Sequence, residues 1–463
     1  MVSTASDVDR YIGTMINNFV NKQHKIEVEE FIHVRGTKER NGRTNKPLSR
    51  YTIRNDTQAL LSLDHFLKNK PFKDATQENL EEYERFLKNE YSSPGGKKKT
   101  KGLTDATVEQ YMIHVKRFYK YLYNKEKYQK NWKIRKTLPY PECVEWIQSS
   151  GNTKEIFKED LPTEQDILKI LEVCENPRDQ AMICSGLADG GFRVGELITL
   201  NCNSVIIDNY GVKFKLPDIA EYESGGQKTG RGIVRLFIIP SSTNYIKDFI
   251  NHHPFYKYKD KFNVPLFYTM DSRTYQPVLR KANDGTVTQS DFESLRLSRP
   301  GIEGILKKYC NLAGVKTYRP HDLRHWSATR SWELGFNEPE LRVRFRWSTK
   351  SKMPSRYIHP TDKAIEKKIK IITGKEEEII EPSKLAPVEC WNCQDENTPT
   401  AKFCQRCGSN LKPTKDEMKI DATSLGVAVQ KGMNSEEVEK ITKQVLVNLL
   451  EEFDLKKKEK KKD

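Results

Sequence analysis

The sequence predicts a multidomain, mainly helical protein: an α-helical N-terminal domain, a mixed mainly-α second domain with a small antiparallel β-sheet, and a small cysteine module near the C-terminus. Three observations predict it. Apolar stripes at helical spacing run up to Leu122, short alternating apolar runs are confined to Val205–Ile239, and four of the nine cysteines crowd into Cys390–Cys407. At 463 residues the chain exceeds what one hydrophobic core holds, so two or three domains are expected.

The first domain is assigned to residues 1–145. Ile53, Leu60, Leu61 and Leu67 form one stripe, and Leu80, Tyr83 and Leu87 form a second after the N-cap Thr76. A third stripe, Val108, Met112, Val115, Tyr119 and Leu122, follows Thr104 and leaves Lys116, Arg117 and Lys120 on other faces. Between the last two helices, Ser92–Lys101 holds Pro, two Gly and four lysines: a phosphate-contacting loop or a solvated linker.

An aromatic, Pro-rich stretch at Leu138–Glu142 and a polar one at Ser149–Thr153 mark a boundary before a second domain, 160–373. Its first helix is expected at Leu161–Gln165, with Pro162 in the first turn and Glu164 complementing the helix dipole. Strands are expected at Val205–Ile207, Val212–Phe214 and Val234–Ile239, the last two joined through the Gly-rich Glu223–Gly232. Residues 374–388 read as a linker, 389–412 as the cysteine module, and 434–463 as a final helix with a lysine-rich tail. Asn434 and Glu437 suit a capping box for that helix. Its stripe of Val438, Ile441, Val445, Leu449 and Phe453 would pack on a neighbouring subunit or on its own chain. Lys456–Lys462 reads as a disordered tail or as a source of non-specific DNA attraction.

Net charge is +15, with 36% hydrophobic residues and a pI near 9.1. The cations are spread along the chain, which favours a polyanionic partner. No segment approaches the roughly 20 uninterrupted apolar residues of a membrane span, and no secretory signal is read, so no membrane partner is expected. Cys143, Cys174, Cys184, Cys202 and Cys310 are scattered, which is not a disulfide framework and implies a reducing compartment.

Four motifs carry chemistry. Asp189-Gly-Gly-Phe-Arg-Val-Gly-Glu-Leu places Arg193 after a glycine turn, where backbone can approach a phosphate and a guanidinium can offer it two parallel donors. In His321-Asp-Leu-Arg-His-Trp326, His321 and Arg324 are three residues apart and share a helix face, so both can address one phosphate. Gln227-Lys-Thr-Gly230 sets Lys228 in the glycine-rich turn, with Arg231 and Lys215 as nearby alternatives. Arg346-Trp-Ser-Thr-Lys-Ser-Lys-Met-Pro-Ser-Arg-Tyr357 brings Trp347 ahead of Tyr357.

Taken together and in this order, the motifs resemble the tyrosine recombinase (phage integrase) family over roughly residues 160–373, with a looser helical match before it. The resemblance implies a site-specific DNA recombinase that cleaves and rejoins strands through a 3′-phosphotyrosine intermediate. Its helical N-terminal domain would be a core-binding, DNA-binding domain. It implies Tyr357 as nucleophile, Arg193 and Arg324 as phosphate clamps, and Trp347 as an indole N–H donor to the phosphate. The common pattern has Leu-Gly before the His or Trp; Phe345 and Arg346 stand there in this chain.

The roles suit the residue types. A phosphodiester is anionic and its transition state carries more equatorial charge, which the arginines stabilise selectively. A free phenol is ionised on the order of 0.1% at pH 7, so a base is required, and His321 is assigned to it. Lys228 is assigned as the general acid that protonates the departing 5′ oxygen. The covalent link conserves bond energy, so neither a nucleotide nor a catalytic metal is expected.

Cys390-Trp-Asn-Cys393 and Cys404-Gln-Arg-Cys407 resemble a short zinc ribbon, whose four thiolates suit a structural, tetrahedral Zn²⁺. Double-stranded DNA is the expected partner, with a homo-tetramer on paired DNA sites. The expected localisation is cytoplasmic, nucleoid-associated in a prokaryote or its virus. The alternatives are a type IB topoisomerase-like nicking-closing enzyme, or a non-catalytic sequence-specific DNA-binding regulator that would leave no covalent adduct.

Overall fold

In the computed structural model, residues 5–39, 47–92, 102–148, 160–216, 232–348, 351, 353–357, 373 and 383–411 are described. The lysine-rich Ser93–Lys101, the glycine-rich turn with Lys228, the 434–463 helix and the lysine tail lie outside the described residues.

Among the described residues, the α-helices of the N-terminal part are α1 (Ala5–Asn17), α2 (Lys22–Thr37), α3 (Arg50–Leu67), α4 (Gln77–Asn89), α5 (Asp105–Tyr123), α6 (Lys125–Lys130) and α7 (Glu142–Glu145). The three stripes read from sequence all turn inward: most of their residues join a core around Phe31, Leu60, Leu63, Phe72, Tyr83, Val115 and Phe118, while Ile53 and Leu61 pack with Val8, Ile12 and Met15 of α1. Thr76 caps α4 in a capping box with Asn79. Thr104 precedes α5 but its hydroxyl meets Thr107 Oγ1 at 2.9 Å rather than a backbone N–H. Within this core Asp56 is fully buried, and its charge is matched by Arg35, His114 and Arg117, which tie α2, α3 and α5 together. Burial would raise the Asp56 pKa, but the hydrogen bond from His114 and the charge of Arg35 hold it below the usual carboxylate range.

The second domain has its own core, which runs from Leu161 to Trp326 and also takes in Leu385. Its helices are α8 (Glu164–Glu172), α9 (Pro177–Ala181), α10 (Val194–Ile198), α11 (Ser242–Asn251), α12 (Ser272–Asn283), α13 (Gln289–Ser294), α14 (Arg299–Leu312), α15 (Pro320–Glu333) and α16 (Glu338–Phe345). The N-cap of α8 is Thr163, in a capping box with Asp166; Pro162 therefore precedes the cap instead of occupying the first turn. From α9 the chain continues as a fully buried π-helical stretch, Met182–Asp189.

β1 (Val205–Asp208), β2 (Gly211–Leu216) and β3 (Gly232–Arg235) form an antiparallel sheet in the order β1-β2-β3. Val212, Phe214 and Leu216 alternate inward along β2, and the β2–β3 ladder runs from Lys213↔Arg235 to Leu216↔Gly232. β3 is shorter than the expected Val234–Ile239 because Asp189 intervenes. Its carboxylate accepts the backbone N–H groups of Phe237 and Ile239 at 3.2 and 3.1 Å, and the hydroxyl of Ser242 at 2.6 Å.

The cysteine module holds a two-stranded ladder, β4 (Val388–Glu389) with β5 (Glu396–Asn397). It sits on the second domain. Leu385 is buried in that domain's core, Asn244 Nδ2 donates to the Glu396 carbonyl at 2.8 Å, and the hydroxyls of Tyr245 and Thr400 meet at 2.9 Å. The end of the stretch read as a linker is thus packed chain.

Candidate active site

The π-helical stretch ends in Gly190-Gly191, and the second glycine is dictated by both conformation and space. Gly191 has φ +55, and a Cβ there would lie 2.7 Å from the Phe345 ring and 2.9 Å from Ser327 Oγ. The tight turn delivers Arg193 to the N-cap of α10, one turn before Glu196.

Glu196 is the electrostatic centre of the site. Its side chain is fully buried, and it receives Arg193 Nη1 at 2.7 Å, Arg346 Nη2 at 2.5 Å and, more distantly, Arg324 Nη1 at 3.8 Å. Burial would raise its pKa, but Arg346, then Arg324 and Arg193, hold it below the usual carboxylate range. One carboxylate among three guanidiniums leaves an excess of positive charge at the surface where Arg193, 24% exposed, reaches solvent.

Arg324 lies on α15, buried, with its guanidinium directed by two carbonyls: Nη2 donates to Phe345 O at 2.9 Å and Nη1 to Gly191 O. Burial and the neighbouring Arg193 push its pKa down to about 9, so it remains a cation at neutral pH. His321 is exposed one turn earlier on the same helix, as its spacing predicts.

Tyr357 follows a short 3-10 turn, Pro354–Arg356, and is 4% exposed. Its ring stacks on Trp347, with centroids 5.4 Å apart and planes within 5°, and Trp347 stacks in turn on Phe345. Trp347 is thus placed beside Tyr357, presenting its face to the phenol. The Tyr357 hydroxyl is hydrogen-bonded to Nδ1 of His325, whose ring packs edge-on to His321 at 4.3 Å. Burial pushes the Tyr357 pKa up to about 12, although Arg324, Arg356 and Arg193 pull the other way. Burial, His321 and Arg324 push His325 down to about 3, so the imidazole is neutral and, with its proton on Nε2, can accept at Nδ1.

The structure therefore gathers Arg193, His321, Arg324, Trp347 and Tyr357 in one place, while Lys228 lies outside the described residues. The ends of its segment are fixed, since Leu216 and Gly232 pair across the sheet. Three residues at the site went unread in the sequence. His325 stands in the quoted His321 box one turn further along α15, and Glu196 stands three residues after Arg193, spacings that put each on its partner's helix face. Arg346 was noted only as a departure from a Leu-Gly pattern.

In the cysteine module, the sulfurs of Cys390, Cys393, Cys404 and Cys407 lie within 4.8 Å of one another, with Cys390–Cys407 and Cys393–Cys404 both at 3.5 Å. Tetrahedral Zn–S bonds of about 2.3 Å separate sulfurs by about 3.8 Å, so the four fit such an ion. Asn397 Nδ2 and Arg406 N donate to Cys404 Sγ at 3.6 and 3.4 Å, which suits a thiolate.

Two family models match this sequence. The model of the phage integrase family matches residues 162–364, which span every assigned position from Arg193 to Tyr357, and that of the phage integrase SAM-like domain matches residues 34–136. Among solved structures, the XerH site-specific recombinase bound to difH substrate is 12% identical with a TM-score of 0.44, covering 80% of this chain and 97% of its own. The Tn1549 transposon integrase in complex with circular intermediate DNA is 15% identical with a TM-score of 0.45, covering 74% and 98%. XerA recombinase is 17% identical with a TM-score of 0.32, covering 77% and 99%. No curated protein sequence matches the chain significantly. With both domains matched by their family models and the motifs assembled at one site, the chain belongs to the phage integrase family of tyrosine recombinases.

Proposed function

We propose that the protein is a site-specific recombinase in which Tyr357 attacks a DNA phosphodiester. The Tyr357 oxygen forms a bond to phosphorus, the 5′ oxygen of the next nucleotide leaves, and a 3′-phosphotyrosine remains. The phenol proton passes to His325 Nδ1, and Lys228 supplies a proton to the leaving 5′ oxygen. Arg193 and Arg324 stabilise the charge that grows on the non-bridging oxygens, with His321 as a further contact to the same phosphate. A 5′ hydroxyl from a second duplex then reverses the step, which makes the exchange isoenergetic and free of nucleotide cofactor.

The observation that carries this reading is the hydroxyl of Tyr357 held on the imidazole of His325, the residue that follows the buried guanidinium of Arg324 on α15. The sequence pointed to His321 as the base; the contact supports His325 as the first proton acceptor, leaving His321 to the phosphate. Double-stranded DNA is the substrate, bound by the N-terminal helices and the second domain, and exchange between two sites calls for a tetramer. The four cysteines hold a structural Zn²⁺. The setting is the cytoplasm, on the nucleoid.

The test is a pool of nicked suicide duplexes with randomised sequence, incubated with the full chain and with Tyr357→Phe. Adducts that survive denaturant are recovered and their DNA sequenced. A wild-type adduct that the variant lacks supports the assignment and yields the recognised site; an equal adduct in the variant overturns it. Joining between two recovered sites separates a recombinase from a nicking-closing enzyme.

A further inference from the structure

Arg346 stands in a backbone conformation that disfavours it. It closes α16 with φ 54 and ψ 43, the left-handed region, where a non-glycine residue costs on the order of 1 kcal/mol or more. Strain of this kind persists where the side chain has a task, and three contacts define one. Nη2 meets Glu196 Oε2 at 2.5 Å, Nη1 donates to the Arg344 carbonyl at 3.2 Å, and the guanidinium lies 5.5 Å from the Phe192 ring centroid. The group is buried, and its Nε has no partner.

The stem of the same side chain touches the sheet. A Cβ on Gly232 would sit 2.8 Å from Arg346 Cδ, so only glycine lets β3 pass this closely. Gly232 is the first residue of the strand that leaves the segment carrying Lys228. Arg346 thus joins the carboxylate that organises the arginines to the first residue of β3.

Resting on the recombinase reading, we propose that Arg346 is a positioning residue for cleavage, a third guanidinium that neutralises Glu196. Without it, the negative charge of Glu196 is shared between Arg193 and Arg324 alone, and the two clamps carry one net positive charge between them. With it, two net charges remain, which matches the extra negative charge a phosphodiester gains at its transition state. The geometric half of the role is to seat Gly232 at the start of β3.

The test compares wild type with Arg346→Gly, Arg346→Lys and Arg346→Met in two measurements. Glycine accepts the left-handed backbone without strain, so Arg346→Gly keeps the fold while removing the charge. In single-turnover cleavage of a suicide duplex recovered by the adduct selection, Arg346→Gly and Arg346→Met are expected to slow cleavage on the order of tenfold to a hundredfold, with DNA affinity little changed. Arg346→Lys, which keeps the charge, recovers part of the rate. In calorimetry with inorganic tungstate, a tetrahedral dianion, the two neutral variants bind more weakly. Wild-type cleavage by Arg346→Gly, or unchanged tungstate affinity in it, overturns the proposal while leaving Tyr357 untouched. Failure of wild type to form any adduct overturns the recombinase reading, and the tungstate measurement still decides the electrostatic role of Arg346.

Discussion

His325 holds the hydroxyl of Tyr357 through Nδ1, and the two residues are brought together from different elements, α15 and the turn after α16. Trp347 stacks flat on the same phenol, so both the orientation of the ring and the direction of its O–H are set before substrate arrives. Pre-organisation of this kind removes rotational freedom from the reacting atom in advance.

A pH profile reads that role. With its pKa pushed down to about 3, His325 is neutral throughout pH 6–8 and available as acceptor, so the tyrosine step in wild type should vary little with pH over that range. Replacing it by glutamine forces attack through free phenolate. With Tyr357 pushed up to about 12, the phenolate fraction rises tenfold per pH unit. His325→Gln is therefore expected to cleave about a hundredfold more slowly at pH 7 and to gain rate steeply toward pH 8. Single-turnover rates at four pH values decide it: parallel profiles for the two proteins would remove His325 from the proton transfer.

Glu196 is where stability and catalysis meet. Its folded-state pKa is lowered, so its stabilising contribution is fully present above its unfolded value of about 4.3 and is lost only as pH falls through the lower folded value. At pH 7 the whole contribution is in force. Glu196→Gln leaves Arg193, Arg324 and Arg346 without their shared counter-charge at a buried position, a change that costs about 3–5 kcal/mol. Urea unfolding of the second domain should show its unfolding free energy fall by an amount of that order, whereas Glu196→Asp falls less. An unfolding free energy within about 0.5 kcal/mol of wild type would mean that the three arginines find other partners.

Much of this site was legible in the sequence because its parts are local. The glycine turn, the i, i+3 pair on α15 and the two cysteine knuckles are short-range patterns, and each formed where the spacing put it. The helical stripes of the first domain were legible for the same reason. What periodicity could not supply was long-range. Asp189 stops β3 with a carboxylate 46 residues before Arg235, and no strand propensity encodes that; the same group also binds Arg344 at 3.0 Å. The partnership of Glu196 with Arg346 spans 150 residues and joins two motifs that look independent in one dimension. His325 lay in plain view, but choosing it over His321 required knowing which ring meets the phenol.

A Zn²⁺ held by the four cysteines would link the folding of the cysteine module to its docking on the second domain. Thiolate–zinc bonding supplies folding energy to a module too small to build a core of its own. The module then meets the second domain through Glu396 on Asn244 and Thr400 on both Tyr245 and Gln180, while Leu385 just ahead of it is wholly buried in that domain's core. Asn244 and Tyr245 belong to α11, whose first residue, Ser242, donates to Asp189 behind the arginine turn. Stripping the metal should therefore destabilise the second domain as well as the ribbon. Calorimetry of the full chain before and after chelation is expected to show the second-domain transition move down by several degrees, with the N-terminal transition unchanged, and elemental analysis to show about one zinc per chain beforehand. Tyr245→Phe should keep the zinc but shrink the shift, since it cuts one of the links through which the loss is felt. A second-domain transition indifferent to chelation would make the ribbon an independent appendage.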